Sequence, residues 1–193
     1  MASVVPDRAN DLRQWFSDTP LVEVSHKIEL GIDVDFPNPA TIGADRLANA
    51  AAVSEPMIVV DFGTAVTFDI ISRQTDDQLA YIGGVIAPGL DAMRNYLHQR
   101  TALLPEIDLR EPPSAIGKST EDAMLSGAVY GYRGLVREIL VQIRTELNHD
   151  TKIVATGGYA DLIAAGMPEI ERVDPFLTME GLRIIGDLNF IIN

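Results

Sequence analysis

The apolar positions of the chain fall into short runs, and the densest lies at 58–71: Ile-Val-Val-Asp-Phe-Gly-Thr-Ala-Val-Thr-Phe-Asp-Ile-Ile. Two β-branched runs flank a small polar joint, which predicts a β-hairpin. Further strands are expected at 21–30, at 81–86 and at 152–156, and Ser3-Val4-Val5-Pro6 reads as the end of one more. The run at 81–86 contains Gly83-Gly84, a pair that marks a close approach to the backbone. Helical patterns alternate with these runs. A polar helix is expected at 8–16 and an Ala-rich one at 47–53. Another starts at Pro88-Gly89, with Leu90, Met93 and Leu97 on one face. The longest spans 120–148, where Tyr132, Val136, Ile139, Leu140, Ile143 and Leu147 form a stripe and Ser119 with Asp122 forms its cap. Two shorter helices are expected at 160–166 and 176–185. The segments 31–39, 73–78 and 103–113 read as loops or turns, rich in Pro, Asn or charge. Strands and helices in alternation define an α/β chain.

Several joints carry candidate chemistry. At the hairpin tip, Asp61 offers a carboxylate, Gly63 a backbone able to take positive φ, and Thr64 a hydroxyl and an amide. That set suits the phosphates of a nucleotide, with the carboxylate left for their counter-cation; an ordinary core hairpin with a glycine turn is the competing reading. Asp45 and Arg46 fall at a helix start, either as a dipole partner and a solvated neighbour, or as a base beside a cation for an anionic substrate. Gly157-Gly158 lies between a strand and a helix, where it makes either a tight turn or a place for a flat ligand to lie on the backbone. Gly127, Gly131 and Gly134 recur at helical spacing and allow another backbone, such as that of a second subunit, to come close. Gly117-Lys118-Ser119 ends like a phosphate-binding loop, but Pro112 stands where the leading glycine belongs, so that reading fails.

Composition narrows the chemistry. The 193 residues, 47% apolar, are enough for one large domain or two small lobes. The absence of cysteine removes disulfides, thiolate nucleophiles and Cys-ligated zinc, and His26, His98 and His149 are scattered, which leaves oxygen ligands. No apolar run approaches the ~18 residues of a membrane span, and residues 1–10 lack the pattern of a signal peptide; a cytoplasmic protein with no membrane partner is expected. A net charge of −13 opposes binding to nucleic acid. It also opposes ATP, so a nucleotide site on this chain needs a cation and local backbone donors.

Taken in order, Gly43-Ala44-Asp45-Arg46, Asp61-Phe62-Gly63-Thr64, Gly84-Val85-Ile86-Ala87-Pro88-Gly89, Gly117-Lys118-Ser119-Thr120 and Ala155-Thr156-Gly157-Gly158-Tyr159 resemble the motifs of type III pantothenate kinases across nearly the whole chain. The resemblance implies an actin-like ATPase (ribonuclease H-like) fold of two lobes, with 1–55 a remnant of the first lobe carrying the substrate loop and 56–193 the second. It implies transfer of the γ-phosphoryl group of ATP to pantothenate, the first step of coenzyme A synthesis, with Mg²⁺ and a monovalent cation, K⁺ or NH₄⁺. It also implies a homodimer through the 120–148 helix. Carried onto this sequence, Asp45 is the general base, and Gly43, Ala44, Arg46 and Thr120 line the pantothenate site. Asp61 holds the monovalent cation, Gly63 and Thr64 bind ATP phosphate, and Gly157-Gly158 faces adenosine.

Two departures accompany the resemblance. The family carries a tyrosine in the loop before Gly-Ala-Asp-Arg where this chain has Phe36, so one substrate-facing hydroxyl is missing. The family also opens with an Asp-x-Gly-Asn-Thr hairpin that cradles ATP, and this sequence starts after it; the chain alone is therefore expected to be inactive, and a non-catalytic ligand- or protein-binding relative is the competing function.

Overall fold

The computed structural model describes residues 6–75 and 77–190. In chain order the elements are α1 (Pro6–Trp15), β1 (Asp33–Val34), α2 (Ala44–Ala51), β2 (Met57–Phe62), β3 (Ala65–Arg73), β4 (Leu79–Pro88), α3 (Leu90–Arg100), α4 (Thr120–Leu147), β5 (Lys152–Thr156), α5 (Ala160–Ala164), β6 (Arg172–Val173) and α6 (Leu177–Phe190). The strands form one mixed sheet in the order β1-β4-β3-β2-β5-β6. β2 and β3 are joined by Gly63-Thr64 alone, a connection too short for anything but an antiparallel hairpin. β1 runs parallel to β4, with Asp33 opposite Ala80 and Val34 opposite Tyr81, and β5 runs parallel to β6. The chain is thus α/β, as its alternating pattern predicts. Among the described residues no helix is long and apolar enough to cross a membrane.

Some expectations are corrected. Residues 21–30 form no strand: Val24 and Leu30 are buried in a cluster with Leu47, Ala48, Ala51 and Ile185, and Ile28 turns back to hydrogen-bond the Ser25 carbonyl. Their apolar side chains are satisfied by this packing without any ladder. The loop at 31–39 contains β1 and runs into a 3₁₀ turn, Pro39–Thr41. The strand expected at 81–86 is the longer β4, the helix expected at 160–166 ends at Ala164, and the closing helix runs on to Phe190. The strand end read at 3–5 lies outside the described residues, and Pro6 opens α1.

The chain divides into two compact units, each discontinuous in sequence. The first comprises Met1–Val59, Asp69–Gly84 and Phe176–Asn193; the second, Val60–Phe68 and Val85–Pro175. In the first unit α6 lies against α2 so closely that a side chain on Gly181 would run into the Ala48 carbonyl. Thr178 donates a 2.6 Å hydrogen bond to Asn49, whose side chain is fully buried. In the second unit α4 is the spine. Its Ser119 hydroxyl accepts the amide of Asp122 at 3.1 Å, and Tyr132, Val136, Leu140 and Ile143 are buried. The stripe omits Arg133, which is also buried. Its guanidinium donates to both oxygens of Glu111 at 2.9 and 2.6 Å, and to the carbonyls of Leu162 and Ile163, tying the connection before α4 to α5.

Two outcomes are expected. Gly181→Ala should destabilise the chain by about 2–4 kcal/mol, because neither helix backbone can yield without losing contacts elsewhere; a denaturation midpoint equal to that of the parent would show that α6 is free to shift. The second concerns acid. The hydrogen bond from Arg133, followed by burial that opposes it and by the charge of Arg133, leaves the Glu111 pKa below its ordinary value. A depressed folded-state pKa means that the stabilisation is present above the unfolded value and is lost as pH falls through the folded one. Glu111 is 53% exposed, so the pair is screened and Glu111→Gln should cost only about 1 kcal/mol at pH 7. The melting temperatures of parent and variant should converge as pH drops below ~4, and a constant gap would exclude the ion pair as its source.

Candidate functional site

In the first unit the candidate residues gather at the start of α2. Gly43 is the N-cap, with extended backbone and no side-chain cap. Asp45 in the first turn supplies the negative charge that the helix end favours, and its Oδ1 accepts the Arg46 amide at 2.9 Å. Arg46 is far from the solvated neighbour of the simpler reading. Its Nε donates to Asp69 Oδ1 at 2.6 Å, with the arginine side chain 13% and the aspartate 0% exposed. The guanidinium also lies over the Tyr81 ring, 5.6 Å from its centre. Phe36 meets that ring edge-on, with centroids 6.1 Å apart and planes at 62°. At Gly83, where a close approach to the backbone is expected, the Phe36 ring lies at ordinary contact distance, 3.9 Å from the place of a Cβ; what favours glycine there is its φ of +138°. Burial, and then the charge of Asp69, push the Tyr81 hydroxyl up to about 12, so it stays protonated at neutral pH.

In the second unit the candidates gather round the β2–β3 turn. Asp61 is partly buried and Thr64 is exposed. Gly63 does not take the positive φ expected of it; its amide bonds the Ala65 carbonyl at 3.1 Å, and a Cβ there would make only ordinary contacts. The turn is tight because other backbone grips it. The Gly89 amide donates to the Thr64 carbonyl at 3.2 Å, and a Cβ on Gly89 would collide with the carbonyls of Gly63 and Thr64. From the other side Gly157, at φ +93°, lies where a Cβ would sit 2.6 Å from Asp61 Oδ1 and 2.7 Å from the Phe62 backbone. Gly158 has nothing within 4 Å of its Cβ position. The Tyr159 amide donates to the Phe62 carbonyl at 3.4 Å, and its hydroxyl bonds Asp91 Oδ1 at 2.7 Å.

The structure therefore brings Asp61, Gly63, Thr64 and Gly157 together, and separately Phe36, Gly43, Ala44, Asp45 and Arg46. Thr120 lies at the exposed start of α4, on the wall of an apolar cavity of about 710 Å³ shared with Pro88, Met93 and Met124. Sequence reasoning missed Asp69 and Tyr81. The available signal was a carboxylate inside the apolar run at 65–71, which a buried strand tolerates only with a partner.

Among the described residues no three His, Asp or Glu side chains are grouped to enclose a metal ion. Asp61 offers one partly buried carboxylate at this turn, an oxygen donor of the kind that hard cations take. A divalent ion is usually carried mainly by nucleotide phosphates. Gly157→Ala is expected to lower unfolding stability by about 2–4 kcal/mol, since the new Cβ meets both an unfavourable φ and the Asp61 carboxylate. Gly158→Ala should change it by less than ~0.5 kcal/mol. Equal urea midpoints for the two variants would show that Gly157 is not clamped.

Comparison with known proteins gives a consistent result. A family model described as type III pantothenate kinase matches residues 1–142. Curated relatives bearing that name include one from Akkermansia muciniphila, 52% identical over 98% of this chain and 78% of its own length. Another, from Methylacidiphilum infernorum, is 43% identical over 97% and 70%. A third, from Acidiphilium cryptum, is 45% identical over 96% and 71%. Among solved structures, a Campylobacter jejuni protein titled a conserved putative Baf family transcriptional activator superposes with a TM-score of 0.64, at 21% identity over 94% of this chain and 79% of that one, and so shares its fold.

Proposed function

The chain belongs to the type III pantothenate kinase family, and from that membership we propose that it transfers the γ-phosphoryl group of ATP to the primary hydroxyl of pantothenate, the first step of coenzyme A biosynthesis. In this reading the hydroxyl oxygen bonds to the γ-phosphorus as the β–γ bridge breaks, releasing ADP, and the hydroxyl proton passes to Asp45. Gly43, Ala44, Arg46, Phe36 and Thr120 line the pantothenate site. Gly63 and Thr64 meet the phosphates, and Gly157 and Gly158 face adenosine. Asp61 holds a monovalent cation, K⁺ or NH₄⁺, and Mg²⁺ bound with the nucleotide neutralises phosphate charge. The six-stranded mixed sheet is consistent with the actin-like fold of this reading.

The observation that carries the catalytic assignment is the start of α2. There a partly exposed Asp45 is followed by an arginine whose side chain is anchored to a buried carboxylate. Phosphoryl transfer asks little covalent chemistry of a protein and much positioning and charge neutralisation, which a fixed base and a fixed cation supply. Phe36 supports a modified substrate loop, because its ring packs on Tyr81 and presents no hydroxyl.

The reading extends to a cytoplasmic homodimer formed through α4. In its favour, a Cβ added at Gly127 or Gly134 would meet nothing within 4 Å beyond their own helix, and Tyr130 and Val141 on the same helix are 39% and 49% exposed.

The test is a coupled ADP-release assay with ATP, Mg²⁺, K⁺ and pantothenate. It is run on this chain and on the chain co-expressed with a segment from a relative carrying the Asp-x-Gly-Asn-Thr hairpin. Pantothenate-dependent turnover in either form supports the assignment, and none in either overturns it. In the active form Asp45→Asn should lower kcat by at least ~10²-fold with little change in the KM for ATP, the usual scale for a general base. Near-normal turnover would remove Asp45 from the mechanism.

A further inference from the structure

Asp69 sits on β3 with no exposure at all, in a run that is otherwise apolar from Phe68 to Ile71. A buried ion pair is a poor source of stability: well-packed apolar residues of similar size usually do as well or better, because both charges must first leave water. What the Asp69–Arg46 pair does supply is geometry. An arginine side chain has much rotamer freedom to lose before it can serve as a fixed donor. Here the loss is taken during folding. Asp69 Oδ1 accepts Nε at 2.6 Å, which sets the plane of the guanidinium, and the Tyr81 ring, itself buried, lies 5.6 Å beneath it. Phe36 meets that ring edge-on. Register places Tyr81 for this task, since β4 pairs with β1 at Tyr81 and Val34, two residues before Phe36.

We propose that Asp69, with the Tyr81 ring, is a positioning residue that fixes the Arg46 guanidinium before substrate arrives; this rests on the reading of Arg46 as part of the pantothenate site. Asp69 touches no substrate and acts only through Arg46. Its loss should therefore weaken pantothenate binding while leaving the nucleotide alone, a separation that a general loss of structure would not give.

The experiment uses the whole 193-residue chain. With ¹⁵N-labelled arginine, the Nε–H signal of Arg46, assigned by its disappearance in Arg46→Lys, should exchange slowly with solvent and hold its shift when pantothenate is added. Fast exchange in the unsubstituted chain would overturn the proposal, whether or not any Asp69 variant folds. Calorimetric titration then compares the parent with Asp69→Asn, Arg46→Ala and the double variant. Asp69→Asn should weaken pantothenate binding ~10-fold or more, with ATP affinity changed less than about two-fold. In the Arg46→Ala background it should add nothing further, the mark of two residues acting as a unit. If the parent binds pantothenate and Asp69→Asn binds it equally well, the functional reading stands and the proposal alone is overturned. The proposal is likewise overturned if Asp69→Asn weakens binding as much without Arg46 as with it. If the parent binds no pantothenate at all, the functional reading fails and takes the proposal with it.

Discussion

Among the crossings of the described residues that bring backbone against backbone with no room for a Cβ atom, three stand out: Gly181 on Ala48, Gly89 on the Gly63-Thr64 turn, and Gly157 on Phe62. Each fixes an element that carries candidate chemistry. The first sets α2 against α6, and so sets where Asp45 and Arg46 begin their helix. The other two hold the β2–β3 turn from both sides, through Gly89 at the start of α3 and Gly157 at the end of β5. Protein interiors are close-packed and transmit strain, so a methyl group inserted at such a crossing moves whole elements. The glycines lie against or next to the candidate groups, and the placement of those groups depends on them.

Much of this was legible in the chain's periodicity. The hairpin at 58–71, the cap at Ser119 and Asp122, the long amphipathic helix and the closing helix were readable because their signals are local: alternation, capping spacing and a 3.6-residue stripe. Where contacts are between segments distant in sequence, the local pattern misled. Val24 and Leu30 have the composition of a strand, yet they bury against α2 and α6, and no ladder forms. Asp33 and Val34 lie in a stretch with the composition of a loop, yet they pair with β4 because Ala80 and Tyr81 leave an edge open to them. Gly63 has the residue type of a positive-φ turn and does not use it, since Gly89 and Gly157 hold the turn from outside.

The candidate site was legible in the same uneven way. Asp45, Arg46, Asp61, Thr64 and Gly157 each stand where a motif marks them. The residues that anchor Arg46 do not, because Asp69 and Tyr81 carry no spacing relation to it. Asp69 is 23 positions from Arg46, and only the sheet places it under α2. Arg133 makes the parallel case for structure: a buried charge on the long helix, next to its apolar stripe, whose place is explained only by its pairing with Glu111 and two carbonyls.

The charge balance of the chain gives these anchors their weight. A protein of net charge −13 that handles a carboxylate substrate and a nucleotide works against its own field, which lowers the local concentration of both. Added surface lysines would answer this only weakly, since exposed charges are screened within about 10 Å at 0.1 M salt. A better answer is a few donors whose orientation is settled in advance and whose surroundings are partly dry, because N–H groups aimed at one point gain strength as the local dielectric falls. In the proposed reading Arg46 would meet that description at the pantothenate site, with its charge already matched by Asp69, whose hydrogen bond sets its plane, and its face against Tyr81. What such an arginine contributes to an incoming anion is direction more than net charge, so its value depends on how rigidly it is held. The sequence therefore commits a carboxylate and a tyrosine of the core to holding one side chain still.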